Sequence, residues 1–199
     1  MVGGGTNNST PTRGGSGGAL GQGLSGFSGV GTTGFGNITI QGGSTVSADI
    51  DVQITAQAGF DVTIDGSRIF ASNANNTFEP GTLTISGPAG VSIGATTFTD
   101  IEAFDGNVTI ASTNGGVTVA HGSDIFAYDA TGLGTWGSVS LTGSGGNVSI
   151  TGGSTINADK DITITAGAGF TVTIDGATVY SSAGNSTAEP GTLTISGGA

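Results

Sequence analysis

The chain has 199 residues, 41 of them glycine, with 35% hydrophobic residues, no cysteine and a formal charge of −11. That is enough for one domain with a real core, and the aliphatic content is too high for a disordered Gly-rich tract. The shortage of cations excludes an electrostatic footprint for nucleic acid or an anionic membrane surface, the lack of cysteine excludes disulfides and Cys-based zinc sites, and no apolar run reaches the roughly 18 residues of a membrane span.

Residues 1–36 come first and differ from the rest. They are rich in Gly, Ser and Thr, with Leu20, Leu24, Phe27, Val30 and Phe35 spaced among them. The opening MVGGGTNNSTPTRGG lacks the basic segment and apolar core of a signal peptide. Export would therefore rely on something outside this stretch, or the chain is a mature or excised piece. The segment reads either as a flexible linker or as an arm that packs on a neighbouring subunit through those five apolar residues.

From Asn37 onward the chain repeats itself. Residues 37–89 align with 147–199 without a gap, with about 33 identities in 53 positions. The phrase EPGTLTISG stands at 79–87 and again at 189–197. Within this duplication a shorter unit begins near Asn37, Asp61, Gly90, Gly116, Asn147 and Thr171. The first four units fill the 110-residue period.

Each unit predicts three short strands. The first are 38–40, 62–64, 91–93, 117–119, 148–150 and 172–174. The second are 45–48, 68–71, 100–103, 124–127, 155–158 and 178–181. The third are 52–54, 83–85, 108–110, 139–141, 162–164 and 193–195. All alternate apolar and polar residues, the period-2 signature of a strand with one buried face. None is stable alone; stacked, each pairs with the coil above and below. The expected fold is all-β, a right-handed parallel β-helix of about six three-strand coils over 37–199. At about 4.8 Å per coil it stands roughly 30 Å tall.

A solenoid ends in unpaired strand edges, which invite edge-to-edge joining unless capped. No capping helix or charged coil is apparent after 195. The expected self-assembly surface therefore comprises Ile38 and Ile40 at one end, Leu193 and Ile195 at the other, and the arm residues 20, 24, 27, 30 and 35. Head-to-tail contact of this kind gives open filaments.

The polar residues offer little chemistry. Stacking brings Arg68 beside Asp100 and Asp100 beside Asp124, and places Asp105 beside Asp129. Close carboxylates repel unless a cation or proton intervenes, so these four aspartates are the candidates for Ca²⁺. The simpler reading is a solvated ladder with Arg68 compensating. No other cofactor is expected. The body otherwise holds only His121 and Lys160 as basic partners, so no enzyme is expected. The outer column Thr39, Thr63, Ser92, Thr118, Ser149 and Thr173 raises ice binding. Ordinary β-propensity accounts for it, and the uneven coil lengths argue against a strict lattice. Asn75 and Asn185, in NNTFEP and NSTAEP, are glycosylation candidates. Phe70, Phe126, Tyr128, Tyr180, Phe78 and Trp136 are candidates for a contact surface.

The phrases GNITIQGGSTVSAD, GNVTIASTNGGVTVAHGSDIFA and GNVSITGGSTINADKDITITAGAG resemble the haemagglutination-type repeats of filamentous haemagglutinin and related bacterial surface adhesins. The resemblance covers 37–199. It implies a secreted, right-handed β-helix at the cell surface. That family also carries an N-terminal secretion domain with an Asn-Pro-Asn-Gly motif, which is not found here. The expected function is structural: an extracellular filament subunit whose partner is itself. The alternative is a segment of a large adhesin that binds a host surface or glycan through its loops. Neither nucleic acid nor membrane insertion is expected.

Overall fold

The structure, a computed structural model, describes residues 29–34, 36–48, 50–71, 81–129, 137–181 and 191–198. Among these residues every regular element is a β-strand. One strand, β1 (Gly29–Gly34), precedes six coils of three. The coils are β2 (Ile38–Gln41), β3 (Thr45–Ala48) and β4 (Asp51–Ala56); β5 (Asp61–Asp65), β6 (Arg68–Ala71) and β7 (Leu83–Ser86); β8 (Gly90–Ile93), β9 (Asp100–Phe104) and β10 (Val108–Ser112); β11 (Val117–Val119), β12 (Asp124–Tyr128) and β13 (Val139–Gly143); β14 (Val148–Thr151), β15 (Thr155–Ala158) and β16 (Ile162–Ala166); and β17 (Val172–Asp175), β18 (Thr178–Ser181) and β19 (Leu193–Ser196).

Strands adjacent in sequence never pair. Every third strand does, in parallel, so the chain winds as a parallel β-helix. The first sheet runs β2-β5-β8-β11-β14-β17, the second β3-β6-β9-β12-β15-β18, and the third β1-β4-β7-β10-β13-β16-β19. The period-2 pattern sends alternate side chains inward. Ile40, Ile64, Ile93 and Ile150 of the first sheet, and Ile54, Ile85, Ile110 and Leu141 of the third, are fully buried. The second sheet adds Ile69, Ile101 and Ile125 and the small column Ala48, Ala71, Ala103, Ala127 and Ala158. Each of these Ile and Leu side chains contributes about 1.5–3 kcal/mol by leaving water.

The corner from first to second sheet explains the Gly-Ser phrase. Gly42, Gly43, Gly66, Gly122, Gly152 and Gly153 all have positive φ there, which glycine adopts without a Cβ penalty. A buried hydroxyl follows: Ser44, Ser67, Thr99, Ser123 and Ser154. Ser44, Ser123 and Ser154 donate to the carbonyls of Gln41, Ala120 and Thr151 at 2.6, 2.6 and 2.7 Å. At two of these corners the hydroxyl reinforces a backbone donor, since the N–H groups of Ser123 and Ser154 reach the same carbonyls at 3.2 and 3.3 Å.

Two expectations change. The boundary at 36/37 comes too late, because Gly29–Gly34 already forms a strand on the third sheet, in register with Asp51–Ala56. Uneven coil length also leaves the lateral order intact. Residues 94–99 separate β8 from β9 where only 66 and 67 separate β5 from β6, yet Thr39, Thr63, Ser92, Thr118, Ser149 and Thr173 stay in one register column. The extra residues loop out between strands, where they disturb no ladder.

Candidate functional site

The two ends of the helix differ. At the C-terminal end, coil six repeats the sequence of coil two, but its surroundings are opposite. Ile64, Leu83 and Ile85 in coil two are 0% exposed beneath coil three. Their counterparts 110 positions on, Ile174, Leu193 and Ile195, are 37%, 43% and 46% exposed. Phe170, Val172, Ala177 and Val179 are partly buried against the core from the same end. Strands β17, β18 and β19 each form the outer strand of their sheet. Leu193 and Ile195 are thus exposed side chains on an outer strand of the third sheet.

The N-terminal end is closed. Ile38, Ile40 and Val46 are only 5%, 0% and 3% exposed. Ile38 and Ile40 were expected on an open face, and this is a correction: they belong to the buried core. Strand β1 accounts for part of it, pairing along β4 and reaching β3. Of the arm residues, Val30 falls within β1; Leu20, Leu24, Phe27 and Phe35 lie outside the described residues, as do Asn75, Asn185, Phe78 and Trp136.

Side-chain bridges pin each coil to the next. Asn37 Oδ1 accepts the Asp61 N–H at 3.0 Å, and Asn147 Oδ1 accepts that of Thr171 at 2.9 Å. Asp51 and Asp161 accept the N–H groups of Thr82 and Thr192 at 3.2 and 3.0 Å. Both pairs repeat at 110 positions. Asp65 is the most heavily bonded. It accepts the N–H groups of Thr96 (2.9 Å) and Thr97 (2.8 Å) together with both their hydroxyls. Burial pushes its carboxyl up, but these four bonds prevail and hold it at about 2. Asp65 also lines an open groove of about 570 Å³ with Gln41, Gly42, Gly43, Gly66 and Thr97.

The outer face of the second sheet holds the ionic cluster. Arg68 Nε lies 3.1 Å from Asp100, and its Nη2 donates to Glu102. The guanidinium also sits 5.0 Å over the Phe70 ring. Asp100 and Asp124 are register partners. Burial raises the Asp100 carboxyl, Glu102 raises it further, and Arg68 opposes them. Tyr128 meets Phe104 edge-on at 4.7 Å between ring centres. Burial, reinforced by Glu102, pushes its hydroxyl up to about 12.

Sequence reading missed Glu102 and Asp159. Glu102 stands two residues beyond Asp100, on the same face, and reaches Arg68 diagonally. Asp159 is buried, and its Oδ2 accepts the Asp129 N–H at 2.6 Å. Burial raises the Asp159 carboxyl against that bond. The signal for it was present: Asp159 follows the Ala158 of the inner small column directly. Asp105, also buried, has positive φ and donates its N–H to Tyr128 O at 2.7 Å. Among the described residues no group of three or more His, Asp or Glu side chains is placed to share a metal ion, so Asp100, Asp124, Asp105 and Asp129 do not form such a group. The His121 Nδ1 donates to Gly94 O at 2.6 Å, bracing two corners.

Comparison with protein-family models, curated proteins and solved structures found no match. The likeness to haemagglutination-type repeats rests on the phrases quoted above.

Proposed function

We propose that this chain is a structural β-solenoid that lengthens by stacking coil upon coil into a filament at the cell surface. One observation supports the reading: every coil offers the next the same parallel register and aliphatic edge, and coil six repeats the edge that coil two buries beneath coil three. An exposed, register-ordered apolar strand edge is a template for another chain, and contact between unlike ends propagates into open filaments. The buried core and the bridging Asn and Asp residues suit a stiff element.

The test is negative-stain electron microscopy with sedimentation velocity across a concentration series. Uniform filaments that lengthen with concentration are the expected result. Compact particles at every concentration would sink the reading.

A second reading has its own observation. The second sheet groups Arg68, Glu102, Phe70 and Tyr128 on one outer face, and Tyr180 on the same sheet is 43% exposed. Aromatic and charged groups on a rigid face suit contact with a host glycan or protein. Binding to a glycan panel that Arg68→Ala and Tyr128→Ala abolish would favour it.

A further inference from the structure

The duplication contains its own template for the joint between two molecules. The outer edges of coil two and coil six are near copies, and coil two is already covered. On β5 sit Val91 and Ile93, paired with Val62 and Ile64. On β7 sit Val108 and Ile110, paired with Leu83 and Ile85. A second copy offers the same residue types at its N-terminal coil: Ile38 and Ile40 for β17, and Val52 and Ile54 for β19. The strand direction also agrees, because an N-terminal end continues all three sheets in parallel. A second C-terminal end would meet them antiparallel.

Charge selects the same occupant. In coil two Arg68 faces Asp100 and Glu102 of coil three. Coil six has Thr178 in place of Arg68 and Tyr180 in place of Phe70. A coil with two acids at these positions would leave them unpaired. The first coil brings Thr45 and Ser47, which are neutral.

Among the described residues, one element stands in the way. Strand β1 occupies the edge of β4 that β19 of the incoming molecule needs. If β1 stays, β19 pairs with β1, and the first and second sheets are held one strand spacing apart, about 4.8 Å. That leaves two of three ladders unmade. If β1 leaves, the third sheet can close in step with the other two. Strand β1 is also a weak occupant. Three of its six residues are glycine, and Thr32 stands at the register position of Ile54. At the equivalent edge 110 positions on, β13 places Leu141 opposite Ile164. Glycine is depleted in strands because it costs entropy and offers no packing.

We propose that β1 is a placeholder, and that assembly exchanges it for β19 of a second copy, seated with Leu193 on Val52, Thr194 on Gln53 and Ile195 on Ile54. This rests on the stacking reading. Val46 on β3 and the edge of β4, against which β1 lies, turn to the incoming coil as β1 is displaced.

The chain has no cysteine, so engineered pairs report unambiguously, and parallel register partners about 4.8 Å apart suit a disulfide. Three full-length double variants test the exchange. Gly31→Cys with Gln53→Cys, oxidised as the monomer, locks β1 to β4. It is expected to slow assembly roughly tenfold or more, and reductant should restore it. Gln53→Cys with Thr194→Cys should give a ladder of covalent multimers on oxidation. Gly31→Cys with Thr194→Cys should not. If the last pair cross-links and the second does not, β1 remains in the joint; the exchange is overturned while stacking stands. A β1–β4 lock that leaves assembly unchanged overturns the exchange too. If the unsubstituted chain itself never assembles, stacking fails and the exchange with it.

Discussion

At the scale of single residues, the polar side chains act as bridges between coils. Asp65 is the strongest case, gathering two N–H groups and two hydroxyls from Thr96 and Thr97. Its folded pKa of about 2 lies below the 3.8 of a free carboxyl. The stability it supplies is therefore complete above ~pH 4 and disappears as pH falls towards 2. Asp65→Ala should cost about 1 kcal/mol at neutral pH, less than buried charged hydrogen bonds give, because the carboxylate is close to solvent. Denaturant titrations should show this cost shrinking towards pH 2. Asp175→Ala, at the counterpart position on the exposed coil, should cost less; equal costs would mean that the threonine bonds contribute nothing. Tyr128 works in the opposite sense. Its hydroxyl is raised from 10.0 to about 12 by burial first and Glu102 second, so its contribution is full below pH 10 and lost as pH rises to about 12. Ultraviolet titration should show a tyrosinate step at about 12 that Tyr128→Phe removes. A titration of Tyr128→Phe indistinguishable from the parent would contradict this.

At the scale of elements, two kinds of glycine separate by their surroundings. Gly43 has φ of +77° with no atom within 4 Å of an added Cβ. Gly43→Ala should therefore cost only about 1 kcal/mol of backbone strain. Gly115 packs directly on the carbonyl of Ala89 in the coil below, and an added Cβ would overlap that oxygen. Gly115→Ala must push two coils apart and should cost about 3 kcal/mol or more; thermal melts of the two variants decide the order. The strands themselves were legible in the sequence. Val62-Thr63-Ile64 and its equivalents alternate at period 2, and stacking leaves only one register that buries every aliphatic. Strand β1 was not legible. GVGTTG carries one aliphatic and three glycines, and its pairing is imposed by the edge of β4 rather than by its own preference. Glu102 was missed for a different reason. Columns read straight up the sheet pair Arg68 with Asp100, whereas a long guanidinium also reaches the diagonal neighbour. The burial of Ile38 and Ile40 was invisible because alternation shows which face is inward, not whether an end is covered.

At the scale of the molecule, each coil is stabilised by its own fold and by the neighbours it touches. A coil with one neighbour is therefore the weakest, and its inward aliphatics are the ones still available to a partner. Ile110 and Ile174 put this to a test, because both point inward and differ in what lies above them. Ile110 is sealed between β7 and β13. Ile110→Ala leaves a cavity no partner can fill, and should cost about 2–4 kcal/mol in the isolated chain. Ile174 is 37% exposed, so Ile174→Ala should cost under about 1 kcal/mol there, since much of the side chain already meets water. In the assembled state the positions should trade importance. Ile174 would then be covered as Ile64 is, and its loss should raise the concentration needed for filaments roughly tenfold. Sedimentation across a dilution series reads that threshold directly. Filaments that form at an unchanged threshold with Ile174→Ala would place the joint somewhere other than coil six, whatever the microscope shows of their length.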